Sequence, residues 1–160
     1  MWYKKVSELL KNKLNLEQKE LKVIKDFSIL WSIFEYDFCG NNSSIANVEK
    51  KIKTITFDKL KFRIFYNYLK NRYTNNEWKF NSLEFRANDR RDFVEKNLFN
   101  KDFENIDVND LILTLYIIVY RFRNNYFHWL KARYDFYDQY DNFRYANMFL
   151  VKLIKSKNNS

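Results

Sequence analysis

Val108-Asn109-Asp110-Leu111-Ile112-Leu113-Thr114-Leu115-Tyr116-Ile117-Ile118-Val119-Tyr120-Arg121-Phe122 is the stretch that decides the fold. From Leu111 to Tyr120 only Thr114 interrupts the apolar and aromatic residues. A membrane-spanning helix needs about 20 apolar residues, so this shorter run reads as a helix buried in a protein core. Asp107 stands just before it as an N-cap, placing a carboxylate where the first turn has free N–H groups. The run is therefore expected to form a helix from Val108 to about Phe122 at the centre of a bundle, and no membrane partner is expected.

Composition points the same way. A chain of 160 residues suits one domain, 1–160, with a sizeable core. It has no Pro and a single Gly, Gly40, which leaves too few turn formers for a many-stranded sheet and suits helices joined by Asn- and Asp-rich loops. The expected class is all-α. One cysteine, Cys39, excludes an internal disulfide and a multi-cysteine zinc site within one chain, which fits a reducing, cytoplasmic setting. Met1-Trp2-Tyr3-Lys4-Lys5 leads into Val6-Ser7-Glu8, which is charged where a secretory signal would be apolar.

Working outward, Asn15 and Gln18 read as a capping box that opens a helix through Phe38, with Gly40 as its left-handed stop. Leu21, Ile24, Ser28, Trp31, Glu35 and Phe38 fall on one face of it, widened by Phe27 and Phe34. Ser43 or Ser44 caps a shorter helix to about Lys53. Thr56 or Asp58 begins another, with Leu60, Ile64, Phe65, Tyr68 and Leu69 directed at the core. The polar segment 74–106, with a short helix around 89–98, reads as an insertion on a simpler bundle. Asp141 or Asn142 begins a last helix with Phe143, Ala146, Leu150 and Leu153 inward, and a frayed tail is expected at 156–160.

The net charge of +9 favours a polyanionic partner. Joint Lys and Asn enrichment is also what an AT-rich genome produces, so a merely solvated basic surface is the competing account. Directly after the apolar run comes Arg123-Asn124-Asn125-Tyr126-Phe127-His128, which contains the only histidine. An imidazole can accept and return a proton near neutrality, and a guanidinium can grip two phosphate oxygens. In an unbroken helix these two residues would lie about 140° apart. Convergence on one phosphate then requires a break between them, or a second copy of the chain. Asn124 and Asn125 favour a break, because Asn competes for backbone hydrogen bonds.

That hexapeptide resembles the signature of the HEPN superfamily: an Arg, often followed by Asn, then a His after four to six intervening residues. In that family the motif follows an apolar helix and precedes a final amphipathic one, the order seen here. Trp31-Ser32-Ile33-Phe34-Glu35 is similar to the aromatic-plus-acid segment of the early helix in the ApeA-like group. Some relatives carry Gly after the His, where this chain has Trp129. The resemblance implies a HEPN-like bundle and a metal-independent endoribonuclease that works as a homodimer without cofactors. His128 would be general base or acid, Arg123 would hold the developing charge, and the ribose 2′-hydroxyl would be the nucleophile. The family further implies bacterial defence or a toxin–antitoxin setting, with an antitoxin or regulatory protein as a second partner.

Around this pair, Asn124 is a candidate for orienting Arg123 or His128, or is only a helix cap. Glu35 interrupts an apolar stripe and is expected to face Arg123 or Arg121, or else to sit at the stripe's edge. Arg121 also satisfies the looser motif spacing and, with Arg90, Arg91, Lys131 and Arg133, is a candidate phosphate contact. Tyr126 is a candidate base-stacking residue, or core. Two rival readings stay open: a catalytically silent RNA-binding helical domain, and a dimerising interaction module.

Overall fold

The computed structural model describes residues 2–14, 16–131 and 138–158, with the side chains of 2, 3, 7, 10, 14, 127–131 and 158 outside the description. Among the described residues the chain forms eight α-helices: α1 (Trp2–Leu14), α2 (Gln18–Ile33), α3 (Ile45–Ile52), α4 (Arg63–Tyr73), α5 (Glu77–Asn81), α6 (Arg91–Phe99), α7 (Val108–Lys131) and α8 (Tyr140–Asn158). No helix among the described residues is long and apolar enough to cross a membrane. The all-α bundle expected from the absence of Pro is what forms.

Every residue from Leu111 to Val119 is buried, so this part of α7 is enclosed on all sides. Asp107 caps it, accepting the Asn109 N–H at 2.9 Å. Around it, α3 and α6 pack against α7, while α2 packs along α8. Phe143, Ala146, Leu150 and Leu153 of α8 are all fully enclosed, as their spacing predicts. The helix continues through Ser156, whose hydroxyl donates to the Lys152 carbonyl at 2.8 Å, so the tail expected at 156–160 is helical as far as Asn158, and 159–160 lie outside the described residues.

Local chemistry explains the other departures. At the start of α2, the Glu17 N–H donates to the Glu20 carboxylate at 2.7 Å, two residues beyond the box expected at Asn15 and Gln18; Asn15 lies outside the described residues. The end of α2 is a π-helical turn, Phe34–Phe38, closed by the Cys39 N–H on the Phe34 carbonyl. Its extra residue brings Phe34 and Phe38 into a stack at 5.0 Å inside the core and leaves Glu35 at the edge of the stripe. Gly40 follows at φ 59°, the left-handed stop that its lack of a Cβ permits.

Before α4, Asp58 accepts the Leu60 N–H and sets a 3₁₀ turn over Lys59–Phe62. That turn shifts the register: Phe62, Phe65, Tyr66, Leu69 and Tyr73 point inward, whereas Leu60 and Ile64, expected in the core, are exposed. The 74–106 segment is not peripheral. Phe80, Leu83, Val94, Leu98, Phe103 and Ile106 belong to the same core, with Phe80 edge-on to Phe99 at 4.8 Å.

Candidate functional site

The second half of α7 carries polar groups on two different faces. Arg121 and Asn125, one turn apart, point into the protein toward the loop before α6. The Arg121 guanidinium pairs with Asp89 at 2.8 Å, and its Nε donates to the Leu83 carbonyl at 2.9 Å. Its remaining Nη donates to the Asn125 side chain at 2.9 Å, and the Asn125 amide donates in turn to Leu83 at 2.7 Å. Asp89 also accepts the Arg86 N–H at 2.7 Å. Burial pulls the Arg121 pKa down and the Asp89 charge opposes that shift. This buried pair fastens the 83–91 loop to α7, and it removes Arg121 from the candidate RNA contacts: its side chain is 2% exposed.

The same network corrects the expected helix break. Asn125 spends its amide on Arg121 and Leu83, so it does not compete for the backbone, and α7 runs unbroken through Asn124 and Asn125 to Lys131. Along that helix Arg123 and His128 are set about 140° apart, with His128 in register with Arg121 and Asn125. The side chains of His128 and Lys131, and all of Arg133, lie outside the described residues.

Arg123 occupies the opposite face, exposed to solvent. Its guanidinium lies 5.9 Å from the centre of the Trp31 ring on α2 and donates to the Asn124 side chain at 3.2 Å. Beneath it, Tyr116 stacks on Trp31 at 6.3 Å and donates its hydroxyl to the Ser43 carbonyl. Burial raises the Tyr116 phenol pKa far above its ordinary range, with smaller contributions from Cys39, Tyr120 and Glu35, and Arg123 opposes them. Glu35 faces neither arginine: it accepts the Ser43 hydroxyl at 2.6 Å, and no ion pair joins it to Arg121 or Arg123 among the described residues. The π-turn is the physical reason, because it carries the carboxylate to the edge beside Ser43.

The other candidates are bound up with the protein. Arg90 pairs with Glu49 at 2.9 Å and lies over Phe93, while Arg91 holds Glu95 at 2.6 Å and the Asn81 side chain at 2.7 Å. Both side chains remain partly exposed, at 36% and 41%, beside these pairs. Tyr126 packs edge-on against Phe143 at 5.9 Å, the core alternative to base stacking. Sequence reasoning missed Asp89, Ser43 and Tyr116. A signal for the buried network was present, since Arg121 and Asn125 stand at the i, i+4 spacing of one helix face.

Chemically, this surface offers an exposed guanidinium with an amide beside it, and a histidine position on another face of the same helix. Among the described residues no group of three His, Cys, Asp or Glu side chains is placed to hold a metal ion. No family model, no curated protein and no solved structure matches this chain.

Proposed function

We propose that the chain is a HEPN-like, metal-independent endoribonuclease whose site is shared between two copies. The observation that carries this reading is the unbroken α7, which displays Arg123 and the His128 position on different faces. One chain then lacks a convergent pair, and a two-fold pairing of α7 helices would supply Arg123 from one copy beside His128 from the other. An exposed apolar stripe supports such pairing: Ile29, Ile33 and Tyr36 follow one another outward along α2 and its π-turn, on the helix that Arg123 overlies.

In the reaction, His128 takes the ribose 2′-hydroxyl proton, the oxygen attacks the adjacent phosphorus, and the 5′-oxygen leaves. Arg123 holds the extra negative charge on the equatorial oxygens. Asn124, bonded to Arg123, limits where the guanidinium can point. A role in defence or in a toxin–antitoxin pair, a controlling protein partner and a cytoplasmic setting belong to the same proposal and rest on the resemblance alone.

The test is incubation of purified protein with single-stranded RNA in EDTA. Fragments ending in 2′,3′-cyclic phosphate and 5′-hydroxyl, absent with His128→Ala, are expected. Fragments with 5′-phosphate, or activity abolished by the chelator, refute the mechanism. If the chain proves monomeric, the same separation on α7 favours RNA binding without cleavage.

A further inference from the structure

Away from α7, an open groove of about 720 Å³ runs along the outer face of α4 toward α5, with Tyr145 of α8 on its wall. Asn67 and Asn71 lie one turn apart on α4, and Asn75 continues the line just past its end, about 6 Å per step. None of these three amides makes a side-chain hydrogen bond within the described residues, although each carries two donors and an acceptor. The wall beside them is apolar: Tyr68 and Tyr145 stack at 4.3 Å.

At the α5 end sits an anion clamp. Arg72 and Lys79 both hold the Asp138 carboxylate, at 3.2 Å and 2.8 Å. Arg72 is 10% exposed in its side chain, and its buried Nε has no hydrogen-bond partner, so its donors are only partly met. Asp138 reaches the clamp on a left-handed backbone, φ 67°, an arrangement that costs energy for a residue with a Cβ. Next to Lys79, Trp78 is 76% exposed, more than any other large hydrophobic residue described.

We infer that this groove holds a short run of single-stranded RNA, with base edges on the Asn67, Asn71 and Asn75 amides and a backbone phosphate replacing the Asp138 carboxylate between Arg72 and Lys79. Amides that both donate and accept match the edges of unpaired bases. A clamp whose two cations already converge on one carboxylate oxygen, Oδ2, has the charge and reach for a phosphate oxygen. Trp78 offers a face on which a further base can stack. The net charge of +9 draws a polyanion to the molecule as a whole. The inference rests on the nuclease reading only for its choice of ligand, since the groove makes no use of Arg123 or His128.

The experiment is fluorescence anisotropy of the full chain with a labelled 2′-O-methyl oligoribonucleotide, which the proposed chemistry cannot cut. The triple variant Asn67→Ala, Asn71→Ala, Asn75→Ala is expected to weaken binding roughly tenfold. Its melting temperature should hold or rise, because Ala is the better helix former at 67 and 71 within α4. Asp138→Asn is expected to tighten binding several-fold: the clamp loses its resident charge, and Asn tolerates the left-handed backbone. Unchanged affinity in the triple variant, or no gain with Asp138→Asn, overturns the groove. Displacement of the oligonucleotide by polyglutamate at a lower concentration than by unlabelled RNA would assign the clamp to acidic peptides and likewise overturn it. If ordinary RNA is cut equally by the wild type and the triple variant, the groove fails and the nuclease reading stands. If nothing is cut while binding depends on the three asparagines, the nuclease reading fails and the groove stands.

Discussion

Replacing Arg121 with Met tests the buried clasp between α7 and the 83–91 loop. Met keeps an apolar stem of similar length and deletes the guanidinium. The Leu83 carbonyl would still receive the Asn125 amide, so it is not orphaned. Asp89 fares worse: it is buried and would keep only the Arg86 N–H at 2.7 Å. Leaving one charge of a buried pair uncompensated costs about 3–5 kcal/mol. In a chain of this size that corresponds to a fall in melting temperature of roughly 6–20 °C. Thermal and urea denaturation of Arg121→Met, Asp89→Leu and the double variant would close a mutant cycle. The double variant is expected to recover most of the loss, because an apolar pair of similar volume often matches a buried ion pair. An Arg121→Met protein within about 1 kcal/mol of wild type, or a double variant as unstable as the sum of the singles, would refute the reasoning.

Three further outcomes follow from the geometry. Glu35→Gln should cost no more than about 1 kcal/mol, because the Gln carbonyl oxygen still accepts the Ser43 hydroxyl and only the acceptor's charge is lost, and a loss of several kcal/mol by denaturation would restore the arginine pairing rejected above. Stability should fall as pH rises above about 10, the ordinary tyrosine value. Burial raises the folded-state pKa of Tyr66, Tyr68, Tyr73 (to about 12) and Tyr116, so below pH 10 their contribution is complete, and above it the unfolded chain ionises first. Absorbance at 295 nm showing all 12 tyrosines titrating together near 10 in the folded protein would contradict this. For the shared site, mixing Arg123→Ala with His128→Ala protein should restore part of the RNA cleavage, and Ile33→Glu should abolish both cleavage and dimer in light scattering. Cleavage by a monomeric Ile33→Glu protein would refute shared catalysis.

The parts of the fold legible in the sequence are those set by neighbours. Asp107, Ser44 and Gly40 act on backbone within a few residues, and the α8 stripe depends only on helical period. What escaped depends on distant partners. Nothing near Asn125 announces that its amide will meet a carbonyl at Leu83, so a break was expected where the helix continues. The 3₁₀ turn at Lys59–Phe62 changes the number of residues per turn, which a fixed period cannot anticipate, and so Leu60 and Ile64 fall outside the core; the π-turn at Phe34–Phe38 decides between the two places open to Glu35, in favour of the stripe's edge. Of the candidate site, the exposure of Arg123 is compatible with its expected role, whereas Arg121 is buried against Asp89.

The packing of α2 along α8 has a consequence for how the chain reaches this state. The two helices are separated by more than 100 residues of sequence, yet Phe27 rests directly on Phe143 at 4.9 Å. Loop closure between such distant segments is slow compared with forming either helix. During synthesis the apolar face of α2 therefore emerges early and waits for the segment that covers it, exposed to other hydrophobic surfaces in the meantime. Substitutions in α8 should then lower the yield of folded protein more than their effect on equilibrium stability alone would suggest.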